Sequence, residues 1–197
     1  MWSDRTMIDK RARLLQLGRE LFSAKGFKDT SVTDITKKAG IATGSFYSFF
    51  KSKEELFMEL FLEENVKLKE DIMDQVDLDD DPASVISQLM VLNEEGMRNN
   101  PILREWYNRE VFEKVERKYR EQKGLEQMTF LYESFNEAVK HWQEKGKMRK
   151  DISPEMIMAL FTAIIVVETH KEEVGVDYFP DLVHHLVGFV LEGLRSD

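Results

Sequence analysis

The chain has 197 residues and a formal net charge of −9, with 42% hydrophobic content, enough for one compact domain or two small ones. It contains no cysteine, which excludes disulfides, thiolate metal sites and a cysteine nucleophile and fits a reducing compartment. Its longest apolar run, Ala159–Val167, falls well short of a membrane span, and the charged N-terminus lacks the apolar core of a signal peptide; the expectation is a cytoplasmic protein with no membrane partner.

Apolar spacing is helical almost throughout. Leu14, Leu17 and Leu21, with Leu15 and Phe22, make an amphipathic first helix that Gly26 stops. "DTSVTDITKKAG" predicts a short helix, capped by Thr30 or Ser31, with Asp34 in its first turn and Gly40 at its end. A third short helix crosses "TGSFYSFF". Ser52 and Glu55 then form a capping box that opens a longer fourth helix. The acidic stretch "DLDDDP" breaks the chain. Helical patterns follow at about 82–98, 101–112 and 114–145, with "EKGKMRKDISP" as a connector. Ser153 caps a helix running to about Lys171, and a last helix spans about 181–194. No segment alternates like a strand, so the fold class is all-α with about nine helices.

Charge is unevenly placed. Residues 1–60 carry eleven Lys/Arg and eight Asp/Glu, a net +3, whereas the remainder carries seventeen and twenty-nine, a net −12. A mildly basic block on an acidic body points to a polyanion partner for that block. The stretch "KKAGIATGSFYSFFKSKEEL" supplies the geometry: one helix ending at Gly40, a turn over Gly40–Ala42, then a second short helix, which is the helix-turn-helix arrangement. Its second helix lies in a DNA major groove when bound, its first residues facing base edges. Those residues are Thr43, Gly44 and Ser45, small enough for close approach and carrying two hydroxyls. Tyr47, Lys51 and Lys53 can reach phosphates. Thr30 and Ser31 serve either as DNA contacts or as N-caps. Lys28, Lys37, Lys38 and Arg5 read as a solvated charged face.

Residues 14–57, with the marks "LF…KGF", "TSVTDITKKAG", "GSFY" and "FKSKEEL", resemble the N-terminal DNA-binding domain of the TetR family of bacterial transcriptional regulators. The likeness covers roughly a quarter of the chain. It implies a homodimer with a homeodomain-like three-helix head (residues 1–51) and a helical effector-binding and dimerisation domain (residues 52–197). It further implies a repressor released from a palindromic double-stranded operator by a small-molecule effector. The family's last two helices pair across the dimer axis; here their apolar positions are Phe161, Ile164, Ile165, Leu182, Leu186, Phe189 and Val190, which a monomer could equally bury in its own core. Ala42 sits where the family often has a capping serine, which leaves Thr43 for the cap.

In the body, Trp106, Tyr107 and Phe135, then Met73, Met97 and Phe130, are the candidate effector contacts, because adaptable thioethers and rings with polar handles line many pockets. The same residues build ordinary cores. An apolar or amphipathic effector follows from this composition. His141, His170, His184 and His185 form no metal motif, and no nucleophile–base order, phosphate loop or other catalytic constellation is present, so neither enzyme chemistry nor a cofactor is expected. The competing reading is a helical scaffold that binds a small molecule or a protein and has no DNA function.

Overall fold

A computed structural model describes residues 2–121 and 129–196. Every regular element among them is helical: α1 (Trp2–Lys25), α2 (Val32–Ala39), α3 (Thr43–Phe46), α4 (Lys53–Met73), α5 (Pro82–Asn99), α6 (Arg109–Glu121), α7 (Thr129–Glu144), α8 (Pro154–Thr169), α9 (Lys171–Val174) and α10 (Asp181–Leu194). Short 3₁₀ turns occupy Leu103–Tyr107 and Val176–Tyr178. The sequence pattern over 114–145 is thus carried by α6 and α7, with residues 122–128 outside the described residues.

The caps explain the boundaries. Ser31 heads α2: its hydroxyl accepts from Asp34 N at 3.1 Å, while the Asp34 carboxylate accepts from Ser31 N at 3.0 Å. That is a reciprocal capping box. Gly40 closes α2 in the left-handed conformation at φ 70°, and Ile41 N donates to Thr36 O at 3.1 Å, the long bond of a Schellman end. Ser52 accepts from Glu55 N at 3.3 Å at the start of α4, but the Glu55 carboxylate takes Lys51 N instead of the Ser52 amide. Ser153 caps α8, accepting from Met156 N at 3.3 Å, with Pro154 in the first turn.

Packing divides the chain into two compact units. The first comprises residues 1–71 and 93–127, the second 72–92 and 128–197. In the first unit α4 shares a core with α1: Leu14, Phe22, Phe27, Ile35, Phe46 and Phe50 are buried with Leu56, Phe57, Leu60 and Phe61. Phe57 lies edge-on to Phe22 at 5.1 Å and to Phe27 at 4.8 Å. Gly18 accounts for the closeness of the two helices, since a Cβ there would stand 2.6 Å from Leu56 Cδ2. The glycine that weakens α1 by roughly 1 kcal/mol therefore permits its packing on α4. Arg11–Glu59 at 2.5 Å, Arg19–Glu63 at 2.6 Å and an Arg19–Glu64 pair line the rim of this contact.

In the second unit, α7, α8 and α10 pack around Ile86, Ile164 and Val187. The connector after α7 is tied down by polar bonds. Gln143 Nε2 donates to Arg149 O at 2.7 Å and to Ile152 O at 2.8 Å, and Trp142 Nε1 donates to Leu78 O at 2.9 Å. No described helix is long and apolar enough to cross a membrane.

Candidate nucleic-acid interface

The α2–turn–α3 segment presents one buried and one open face. Phe46 is fully buried and packs against Phe50 at 5.6 Å, which fixes the rotation of α3. Thr43 and Gly44 then face solvent, Ser45 is half-buried, and Tyr47 is 58% exposed with its ring edge-on to Phe46 at 5.5 Å. A Cβ at Gly44 would meet nothing within 4 Å, so this face is open. Ala42 gives α3 no side-chain cap, and Thr43 does not replace it. The Thr43 hydroxyl lies 3.3 Å from that of Thr36, pinning the start of α3 to α2.

The remaining candidates separate. Lys51 is exposed. Lys53 is turned inward: its ammonium donates to Phe27 O at 2.7 Å and Thr30 O at 2.8 Å and sits 4.1 Å from the centre of the Phe27 ring. Burial there lowers its pKa below the usual lysine value. The Thr30 side chain is buried and donates to Gly26 O at 2.9 Å. Ser31 is spent on the cap of α2. Of the cations read as a solvated face, Lys38 pairs with Glu20 at 2.6 Å and Lys28 with Glu110 at 2.8 Å, while Lys37 is exposed; the Arg5 side chain lies outside the described residues. Thr43, Gly44, Tyr47 and Lys51 are thus exposed and Ser45 is half-buried, whereas the side chains of Thr30, Ser31 and Lys53 bond within the turn before α2 and at its cap.

The effector candidates fall in two places. Met97 and Trp106 belong to the first unit's core, where the Trp106 ring stacks on Phe61 at 5.3 Å and meets Phe112 edge-on at 4.7 Å. Tyr107, beside them in sequence, is exposed, with Arg98 5.2 Å over its ring. Met73 is half-buried. Phe135 belongs to the second unit, edge-on to Trp142 at 5.7 Å and to Phe161 at 5.6 Å. The Phe130 side chain lies outside the described residues. One residue has no counterpart among the sequence expectations: Asn65 on α4 is 6% exposed and its Oδ1 has no hydrogen-bond partner among the described residues. The only signal for it in the sequence is an amide one turn beyond Phe61 on an apolar face. A cavity of about 50 Å³ in the second unit, lined by Pro82, Met148, Leu191 and Leu194, has room for little more than water and involves none of the candidates.

On α8 and α10, Ile165 and Phe189 are 44% and 73% exposed, Ile164 is buried, and Phe161, Leu182, Leu186 and Val190 are half-buried. Met156 and Val166 add to the exposed apolar surface of α8. No cluster of three or more potential metal ligands occurs among the described residues.

A capped helix, a left-handed glycine turn and a short helix with an open polar face define a helix-turn-helix DNA-binding fold on an all-helical chain. Residues 14–60 match the family of bacterial regulatory proteins known as the tetR family. The chain is 47% identical over 53 residues to the uncharacterised HTH-type transcriptional regulator YdgC of Bacillus subtilis, covering 27% of each chain. It is also 47% identical over 51 residues to the HTH-type transcriptional repressor KstR2 of Mycolicibacterium smegmatis, covering 26% of this chain and 25% of that one. The match thus spans about a quarter of the length of these relatives. In overall fold the chain is similar to Thermus thermophilus FadR, a TetR-family transcriptional repressor solved in complex with lauroyl-CoA. The TM-score is 0.63 at 21% identity, covering 95% of this chain and 96% of that one.

Proposed function

We propose that the protein is a homodimeric, cytoplasmic DNA-binding transcriptional regulator, a repressor whose hold on a palindromic operator is released by a small molecule. Residues 1–51 form the DNA-binding domain in this reading, and residues 52–197 carry effector binding and dimerisation. The observation that carries it is the open Thr43–Gly44–Tyr47 face on a helix held by Phe46 and by the Gly40 turn, within the segment matched to the family. Most of the affinity comes from phosphates, from Lys51, Tyr47 and neighbouring cations; specificity comes from Thr43 and Ser45 at base edges. Two copies must stand one helical repeat apart, about 34 Å, for both to enter successive major grooves. The exposed apolar rows of α8 and α10 are the surface on which a second copy pairs.

The effector is apolar or amphipathic. The aromatic set of Trp106, Phe61 and Phe112 supplies adaptable apolar walls, and the unsatisfied Asn65 oxygen supplies an acceptor for a ligand hydroxyl or amide. Lauroyl-CoA, the ligand of the Thermus relative, is a molecule of that amphipathic class. Binding shifts the population toward a body conformation that moves the two DNA-binding domains out of register. No catalytic step belongs to this reading.

The test is a gel shift with DNA flanking the protein's own gene across a salt series. Retardation that weakens steeply with salt and yields to competitor of the same sequence is the expected result. Absence of retardation at low salt would refute the reading.

A further inference from the structure

The turn joining α1 to α2, Gly26–Thr30, is held by side chains from distant parts of the same unit. Lys53 grips it from α4 through the carbonyls of Phe27 and Thr30. From the other side, the Phe27 amide donates to Glu105 Oε1 at 3.0 Å, across 78 residues of sequence. Gly26 adopts φ 82°, and a Cβ there would stand 2.7 Å from the same oxygen. Only glycine both takes this conformation and leaves room for the carboxylate. Glu105 sits in the 3₁₀ turn 103–107, next to Trp106, whose ring is locked between Phe61 and Phe112. On the far side of the held turn, α2 begins at Val32, and the Thr36–Thr43 pair carries its position to α3.

We propose that Glu105 is the positioning residue that links the Trp106 aromatic cluster to the DNA-facing helices, by fixing the turn from which α2 and α3 extend. The inference rests on the reading of α3 as the DNA-facing helix. A charge-assisted bond to a half-buried amide is directional, so a shift of the 103–107 turn reaches α2 as a change of angle. The Arg11–Glu59 and Arg19–Glu63 pairs tie helix shafts together and leave the turn alone. An effector that displaces Trp106 withdraws the carboxylate at the same stroke.

The test uses the full chain with Glu105→Ala, Glu105→Asp and Glu105→Gln. Amide hydrogen exchange is followed at Phe27, and affinity is measured for duplex flanking the protein's own gene and for a random-sequence duplex. Alanine, and aspartate with its reach shortened by one methylene, should speed exchange at Phe27 by at least tenfold. They should lower the ratio of specific to random-sequence affinity by at least tenfold, with random-sequence affinity and its salt slope unchanged. Glutamine, whose amide oxygen accepts the same hydrogen, should restore most of both; a merely structural loss would lower both affinities together. Should alanine prevent folding, aspartate decides. Wild-type exchange at Phe27 in the aspartate variant, or faster exchange with an unaltered affinity ratio, would overturn the link alone. A wild-type protein indifferent to duplex DNA would overturn the function and the link together.

Discussion

The two compact units treat their large apolar side chains in opposite ways. The first turns Phe22, Phe27, Phe46, Phe50, Phe57, Phe61 and Phe112 inward until almost nothing of them meets solvent, and leaves small and hydroxylated residues on its exposed recognition face. The second leaves Met156, Ile165, Val166 and Phe189 in solvent on α8 and α10. A core that closes on itself stabilises one chain; an apolar helix face left open is stabilised by a partner. In the first unit burial leaves a polar face outside, the one proposed to meet DNA; in the second an apolar face stays outside, the one proposed to meet a second copy.

The strongest way to break the contrast is to open the closed core. Phe57→Ala removes the ring that joins Phe22 to Phe27 and should destabilise the first unit by about 3–5 kcal/mol, read as a lower denaturation midpoint. Phe189→Glu on the open face should do the reverse, leaving the folded monomer intact. It should raise the dimer dissociation constant by at least about thirtyfold, or roughly 2 kcal/mol, as followed by light scattering against concentration. A Phe189→Glu protein that stayed dimeric would show that this face is not the interface. Tyr47→Ala should weaken DNA binding by about 1–2 kcal/mol across sequences without moving the melting temperature, because the ring is mostly exposed and its removal leaves no cavity.

Helix identities and caps were legible in the sequence because they depend on local chemistry. Ser31 with Asp34, Gly40, Ser52 and Ser153 each act within four residues of the groups they satisfy. The exposed start of α3 was legible for the same reason, since Thr43 and Gly44 follow directly on the Gly40 turn. Lys53 was read as a phosphate ligand, yet its ammonium finds two carbonyls 23 and 26 residues away, and no spacing rule encodes that choice. Glu105 was invisible as a partner of Phe27 for the same reason, at 78 residues. The need for glycine at position 18 is equally long-range: a Cβ there would stand 2.6 Å from Leu56 Cδ2, 38 residues on. Local bonds follow from pattern, whereas long-range ones follow from the packing that the pattern only permits.

A smaller effect tests whether the first unit tolerates polarity only where it is satisfied. Asn65 buries an acceptor without a partner among the described residues. An unsatisfied buried group costs about 1–3 kcal/mol, and an apolar side chain of similar size removes that penalty. Asn65→Leu should therefore raise the stability of the effector-free protein by about 1 kcal/mol, seen as a higher melting temperature, while blunting any effector-induced release from DNA. A lower melting temperature would mean that the amide is satisfied in solution and that the site is structural.

The smallest effect concerns the cap that starts α2. The Asp34 carboxylate accepts from the Ser31 amide and then from its hydroxyl, and these bonds hold its pKa below the ordinary value of 3.8. Since the folded-state value is lower than the unfolded one, the unfolded chain binds the proton first as pH falls. The stabilisation is then fully present above about pH 5 and is lost as the pH drops through 3.8 toward the folded-state value. Asp34→Asn keeps an acceptor for the Ser31 amide but cannot titrate, so it isolates the charge. Its stability should lie below the wild type by a constant margin at neutral pH, and the gap should close under acid, measured by denaturant titrations at pH 7, 5 and 3. Because Asp34 is only partly buried and lies at the surface, the margin should also shrink with added salt. A gap that persisted unchanged at pH 3 would mean that the variant loses cap geometry rather than charge, and that α2 depends on the shape of its first turn more than on its electrostatics.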